Sequence, residues 1–299
     1  MNPNQHFKNI VKSAIGVGGL ALCTLIAGSF AETKADPVSL GTASQFAVLY
    51  IGSNTGNTVQ MSNPQGSVTG NVGLLHGNLD TSGPVINGNV YFAGTGSVSQ
   101  PARVNGMIIQ NSPLVTQANL DARNASSMAA ALAATNSTTS IHSSTTLTGG
   151  AGVNVVNLTD VVLNGGNLTL IAPAGGSWVL NVTGGFILNG SSVLLGGGLT
   201  SNDVLIDVIG AGSDVHTTGG GNRSVINGTV LAVDRSIKLS PGLVNGRIIA
   251  GGDVITIVSG AKVNGPPPEV PEPGTVLLLG TGLAGIAGAI RKRRNAWKR

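Results

Sequence analysis

Short apolar phrases separated by glycine or asparagine fill most of the chain. Val153 to Val156, Val161 to Leu163, Leu168 to Ile171, Trp178 to Val182, Phe186 to Leu188, Val193 to Leu195 and Val204 to Ile209 are too short for helices. Turn-forming residues bound them, so they predict β-strands. On either side of this stretch one phrase recurs: an apolar β-branched residue, Asn or Thr, then Gly. Its glycines fall at Gly70, Gly88 and Gly106, and again at Gly228, Gly246 and Gly265. A fixed step of about 18 residues fits one coil of a three-faced solenoid, with a short strand and a corner on each face. Asn-Gly between apolar residues is also a strong hairpin signal, and the rival reading is a set of antiparallel hairpins. The constant step favours the solenoid, which predicts that each glycine trio stacks in register at about 4.8 Å per coil.

One segment breaks the period. Ser112-Pro113 reads as an N-cap followed by Pro at the first helical position. Leu114, Ala118, Ala122, Ala125, Ala129 and Leu132 then form an apolar stripe at helical spacing. The pattern predicts a single long helix from Pro113 to about Thr135, packed closely against the side of the solenoid because its stripe is mostly alanine.

Composition narrows the class. Among 299 residues there are 46 glycines, and only 9% are charged and 3% aromatic. A mean hydropathy of +0.29 is too high for an intrinsically disordered chain. The sequence pI near 9.5 suggests a nucleic-acid partner until the charges are located. From Asp36 to Pro268 seven basic residues face nine aspartates, a body charge of −2. The bases crowd the two ends instead, which argues against a phosphate-binding surface.

Both ends read as export signals. Lys8 and Lys12 precede an apolar run and the small residues before Ala31 and Ala35. This is the layout of a secretory signal cleaved after one of those two alanines. Cys23, the one cysteine, lies inside it, so the mature chain has no disulfide to hold it. At the other end, three prolines from Pro266 lead to Val270, Pro271, Glu272 and Pro273, then an apolar stretch to Ile290, then Arg291, Lys292, Arg293 and Arg294. Fifteen residues of helix span about 22 Å, short of the ~30 Å hydrocarbon core, and the basic cluster places the body across the membrane from the cytoplasm. This tripartite tail resembles the PEP-CTERM sorting signal of Gram-negative bacteria. The resemblance implies an exosortase-type partner, a transient inner-membrane intermediate and delivery to the cell surface or extracellular matrix. The expected domains are a signal peptide (1–35), the solenoid body (36–265), a Pro-rich linker (266–273) and a transmembrane sorting segment with its basic tail (274–299).

The order of repeat block, helix and second repeat block resembles the right-handed discontinuous β-solenoid of microbial ice-binding proteins and of related choice-of-anchor adhesin-like domains. The opening phrase from Leu40 to Leu49 and the closing coils from Asn227 to Ala250 carry the likeness. It implies a mainly β fold. Ice binding in that family uses a flat, Thr-rich face, and no Thr ladder at coil spacing is visible here.

Catalytic signals are sparse. His76, His142 and His216 lack metal-ligand spacing. Asp203, Asp207 and Asp214, with His216 nearby, are weak candidates for Ca²⁺ ligation or an acid-type glycan site. Asp207 lies within an apolar run and, by strand alternation, is expected to point outward as a solvated residue. No metal, cofactor or catalytic residue is assigned, and a non-enzyme is expected. The leading expectation is an exported structural or adhesive matrix protein that contacts exopolysaccharide. An ice binder is the alternative and a glycan-acting enzyme the third.

Overall fold

The computed structural model describes residues 37–219 and 223–265, so the predicted signal, linker and sorting segment lie outside the described residues. The strands form three parallel sheets of nine, eight and eight strands, the three faces of a rod. Strand alternation sends one set of side chains inward from every face. Val48, Val156 and Ile206 from the first sheet, Met61, Leu188 and Ile237 from the second, and Val68, Leu170 and Val244 from the third all join one buried cluster. Parallel pairing throughout excludes the hairpin reading, because antiparallel hairpins cannot produce it.

The chain does not climb the rod in one direction. In the nine-stranded sheet, Gly152–Leu158, Gly176–Val182, Val204–Val208, Thr229–Ala232 and Ile248–Ala250 come first. Phe46–Tyr50, Asn71–Leu74, Val90–Phe92 and Ile108–Ile109 follow. Val48, Leu49 and Tyr50 pair with Ile248, Ile249 and Ala250, so the first strand of the body sits directly on the last full coil. The same junction on another face pairs Lys262, Val263 and Asn264 with Ser67, Val68 and Thr69. The two glycine trios therefore form one stack instead of two. Gly228 N–H donates to Asn245 O at 3.0 Å, Gly246 to Asn264 at 2.9 Å, Gly265 to Thr69 at 2.8 Å and Gly70 to Asn87 at 3.0 Å.

This threading requires a long return, because the N-terminal coils end at one tip of the rod and the next strand begins at the other. Eight strand intervals cover roughly 38 Å. Helix α1, Pro113–Ala130, is 18 residues long and supplies about 27 Å; the connector after it covers the remainder. The helix is shorter than the sequence predicts because the next residues leave it to join the rod. Thr135 N–H donates to Val155 O at 2.8 Å, and its hydroxyl accepts from Val155 N–H at 2.8 Å. The buried stripe is Val115, Ala118, Ala122, Ala125, Ser126 and Ala129. Leu114, predicted to lead it, is 38% exposed; the stripe is set by Val115, three residues before Ala118.

Two devices hold the corners. At Gly246, φ is +145°, and a side-chain Cβ there would collide with the Gly228 carbonyl of the adjacent coil, so only glycine fits. Arg235, 2% exposed, donates to the carbonyls of Thr183 (2.6 Å), Ile209 (2.8 Å), Gly210 (2.7 Å), Gly184 (2.5 Å) and Ser213 (3.3 Å). One buried guanidinium thereby ties the corners of three coils. Among the described residues no helix is long and apolar enough to cross a membrane.

Candidate functional site

The three faces expose very different surfaces. On the nine-stranded face, outward residues Leu49, Val155, Val179, Leu205, Leu231 and Ile249 form a second buried cluster with the alanines of α1. The helix covers this face, so it offers no open surface along its middle.

Asp207 lies on that covered face, and its expected exposure is wrong. It does point outward from the solenoid core, but α1 lies over it and leaves it 0% exposed. Ser126 Oγ donates to its Oδ2 at 3.1 Å. Burial pushes the carboxyl up to about 7, against the ionising influence of Ser126 and with added repulsion from Asp234. Its register partner is Asn181, whose amide donates to Ala129 O at 2.8 Å and Asn157 Oδ1 at 3.1 Å. Among the described residues, Asp207 Oδ1 and Asn181 Oδ1 are both buried without a hydrogen-bond partner. Protonated, Asp207 carries a donor on the strand beside Asn181.

The other aspartates go elsewhere. Asp203 closes a capping box, accepting from Thr200 N–H and Oγ at 2.7 Å each. Asp214 is exposed at a corner. Among the described residues no three His, Cys, Asp or Glu side chains gather as a metal site. His142 instead pairs with Asp160 at 2.8 Å. His216 is held below the usual histidine range by burial and by Lys238, partly offset by Asp214.

Of the two open faces, one is mixed. Its central row places Asp80, Gln60, Thr256, Lys238, His216, Ile187 and Val162 on successive strands. The row runs from a carboxylate through amide, hydroxyl, lysine and imidazole to two apolar residues, so it has no uniform height or chemistry.

The remaining face carries a ladder. Thr146 and Thr169 are register partners, and Leu194 follows them. Asn227, Asn245, Asn264, Thr69 and Asn87 continue on adjacent strands, and Asn105 ends the series. The amides bond to one another along the rod: Asn245 Nδ2 to Asn227 Oδ1 at 2.8 Å, Asn264 to Asn245 at 3.0 Å and Asn105 to Asn87 at 2.7 Å. Apart from Leu194 the rungs are small and polar, none is charged, and these bonds hold the five asparagines in one orientation. Each interior amide still keeps a free N–H and a free lone pair for solvent. The parallel row beside it includes Ser192, Val225, Leu243, Lys262, Ser67 and Val85.

The sequence missed this ladder for two reasons. Its rungs are mostly Asn, not Thr, and Thr69 joins Asn264 only after the chain reorders in space.

Comparison with known proteins agrees with this architecture. A family model described as Ice-binding-like matches residues 52–262, and a PEP-CTERM protein-sorting motif matches residues 269–294. An ice-binding protein of the Antarctic ascomycete Antarctomyces psychrotrophicus is 25% identical, with a TM-score of 0.52 over 76% of this chain and 97% of that one. An ice-binding protein with antifreeze activity from an Arctic yeast is 22% identical, with a TM-score of 0.56 over 80% and 97%; at that identity it supports the fold alone. No curated protein sequence matches the chain. These matches overturn the adhesive matrix reading and favour its ice-binding alternative.

Proposed function

We propose that this chain, which belongs to the ice-binding-like family, is an exported ice binder that meets the ice lattice with its Asn/Thr ladder face. The single observation that carries the reading is the ladder itself: uncharged, mostly small side chains, its asparagines held by one another, repeated at strand spacing along one open face. Binding an ordered solid favours a surface that loses little side-chain entropy on contact, and the amide-to-amide bonds have already fixed the five asparagines. The covered face is closed by α1, and the mixed face interrupts its central row with Asp80, Lys238 and His216. The Antarctic ascomycete relative is itself named as an ice-binding protein.

The sorting motif supports export. In this reading the N-terminal segment directs secretion, the apolar tail holds the chain at the inner membrane of a Gram-negative cell, and an exosortase-type enzyme cuts near Pro271-Glu272-Pro273. The released solenoid, of right-handed coils, then works at the cell surface or beyond it. Thermal hysteresis and ice-crystal shaping by the purified body test the function. Faceted growth and a gap between melting and freezing points are expected; unshaped crystals with no gap contradict it.

A further inference from the structure

The body contains seven Asn-Gly pairs, at Asn87, Asn105, Asn164, Asn189, Asn227, Asn245 and Asn264. Asparagine followed by glycine is chemically labile, because an unhindered glycine nitrogen reaches the preceding side-chain carbonyl. Five of these pairs are restrained by the coil stack. Gly165 N–H is bonded to Asn189 O (2.8 Å), Gly190 to Thr218 (2.9 Å), Gly228 to Asn245 (3.0 Å), Gly246 to Asn264 (2.9 Å) and Gly265 to Thr69 (2.8 Å). An amide nitrogen committed to a neighbouring strand cannot turn toward its own side chain without local opening of the coil.

Two pairs lack that restraint among the described residues, Asn87 and Asn105; Asn87 is covered by the next coil, its Oδ1 accepting from Asn105 Nδ2 and its carbonyl accepting from Gly70 N–H, whereas Asn105 stands at the open end. Among the described residues, its coil is the last on the ladder face, attached through the Ile86 to Val104 bridge. Asn105, Gly106 and Met107 are all exposed, Met107 to 64%. The Asn105 amide is bonded on one side alone, to Asn87 Oδ1 at 2.7 Å, whereas Asn245 both donates and accepts along the ladder.

We propose that Asn105 is a self-modification site, where the folded protein converts asparagine to aspartate and isoaspartate at the tip of the ladder. The Gly106 nitrogen forms a bond to Asn105 Cγ and loses its proton. The Cγ–Nδ2 bond breaks and ammonia leaves. Water then opens the five-membered imide at either carbonyl, giving isoaspartate or aspartate. The net change is amide plus water to carboxylic acid plus ammonia, with no oxidant or catalyst required. The product removes the donor that reaches Asn87 and places a negative charge at the end of an otherwise uncharged row.

Peptide mapping by mass spectrometry, on full-length protein aged in warm, mildly alkaline buffer, tests this against the same chain aged in denaturant. In denaturant all seven sites should convert at similar rates. In the folded protein Asn105 should convert first, within a few-fold of its denatured rate. Asn227, Asn245 and Asn264 should be slower by roughly tenfold or more, the factor given by an opening cost of about 1.4 kcal/mol. Replacing Asn105 with Gln should abolish the early product and leave Asn227, Asn245 and Asn264 unchanged. Equal folded rates at all seven sites, or Asn245 converting ahead of Asn105, would overturn the proposal.

Discussion

The covered face and the ladder face are built by the same coils and the same inward–outward alternation, yet they follow opposite rules. On the covered face the outward positions are Leu49, Val179, Leu205 and Ile249, buried beneath the alanines of α1. Even a carboxyl, Asp207, is removed from water there. On the ladder face one outward row is mostly Asn and Thr, facing solvent, with its asparagines tied to one another. What a strand's outward residues do is therefore decided by the element that lies over them, a fact of three-dimensional threading.

The sharpest way to break the contrast is to place the same bulky cation on both faces. Ala122→Arg, at a position 0% exposed on the stripe of α1 that packs on the covered face, combines overpacking with an unpaired buried charge and should cost about 4 kcal/mol or more. Thermal unfolding and the loss of helical circular dichroism read this. The same cation at exposed Asn264 should cost about 1 kcal/mol or less, since it forfeits one exposed hydrogen bond.

Asp207 gives the next largest effect, through pH. Its folded value, about 7, lies above its ordinary value of 3.8, so the folded state holds the proton more tightly than the unfolded chain. This group's contribution is full below about pH 4, falls as pH rises toward 7, and is flat above. The loss amounts to at most about 4 kcal/mol at 1.36 kcal/mol per unit. Asp207→Asn, which keeps a donor at the same position and never ionises, should remove this slope and be more stable than the parent at pH 8. Denaturant titrations at several pH values check it, and equal slopes in both proteins would contradict the buried-proton account.

These two effects also mark what the sequence made legible. The coil period, the single helix and the glycine corners were readable because each rests on local spacing: Gly70, Gly88 and Gly106 report the coil, and Ser112-Pro113 marks where α1 starts. The joining of Asn264 to Thr69, and hence the continuous ladder, was not, because residues 195 positions apart carry no local signal of pairing. Asp207 failed for the same reason: alternation gave its direction correctly, but nothing nearby in sequence says that Ser126 lies over it.

Smaller effects sharpen the ladder itself. Asn245→Ala removes one rung that donates to Asn227 and accepts from Asn264, and should cost about 1–2 kcal/mol while sharply reducing thermal hysteresis. Lys262→Thr replaces a charge in the row beside the ladder; it should change stability by no more than about 0.5 kcal/mol and raise thermal hysteresis. Calorimetric unfolding alongside hysteresis measurements separates the two quantities.

The central claim is that ice meets the ladder face, and the most direct measurement is adsorption of fluorescently labelled protein to growing ice for a matched pair of variants. Asn245→Tyr raises a ring from the middle of the ladder; Thr256→Tyr raises one from the centre of the mixed face. The account predicts that the unsubstituted protein and Thr256→Tyr both coat the ice, while Asn245→Tyr, folded by circular dichroism, stays in the liquid. Adsorption that survives Asn245→Tyr and is lost with Thr256→Tyr would contradict it.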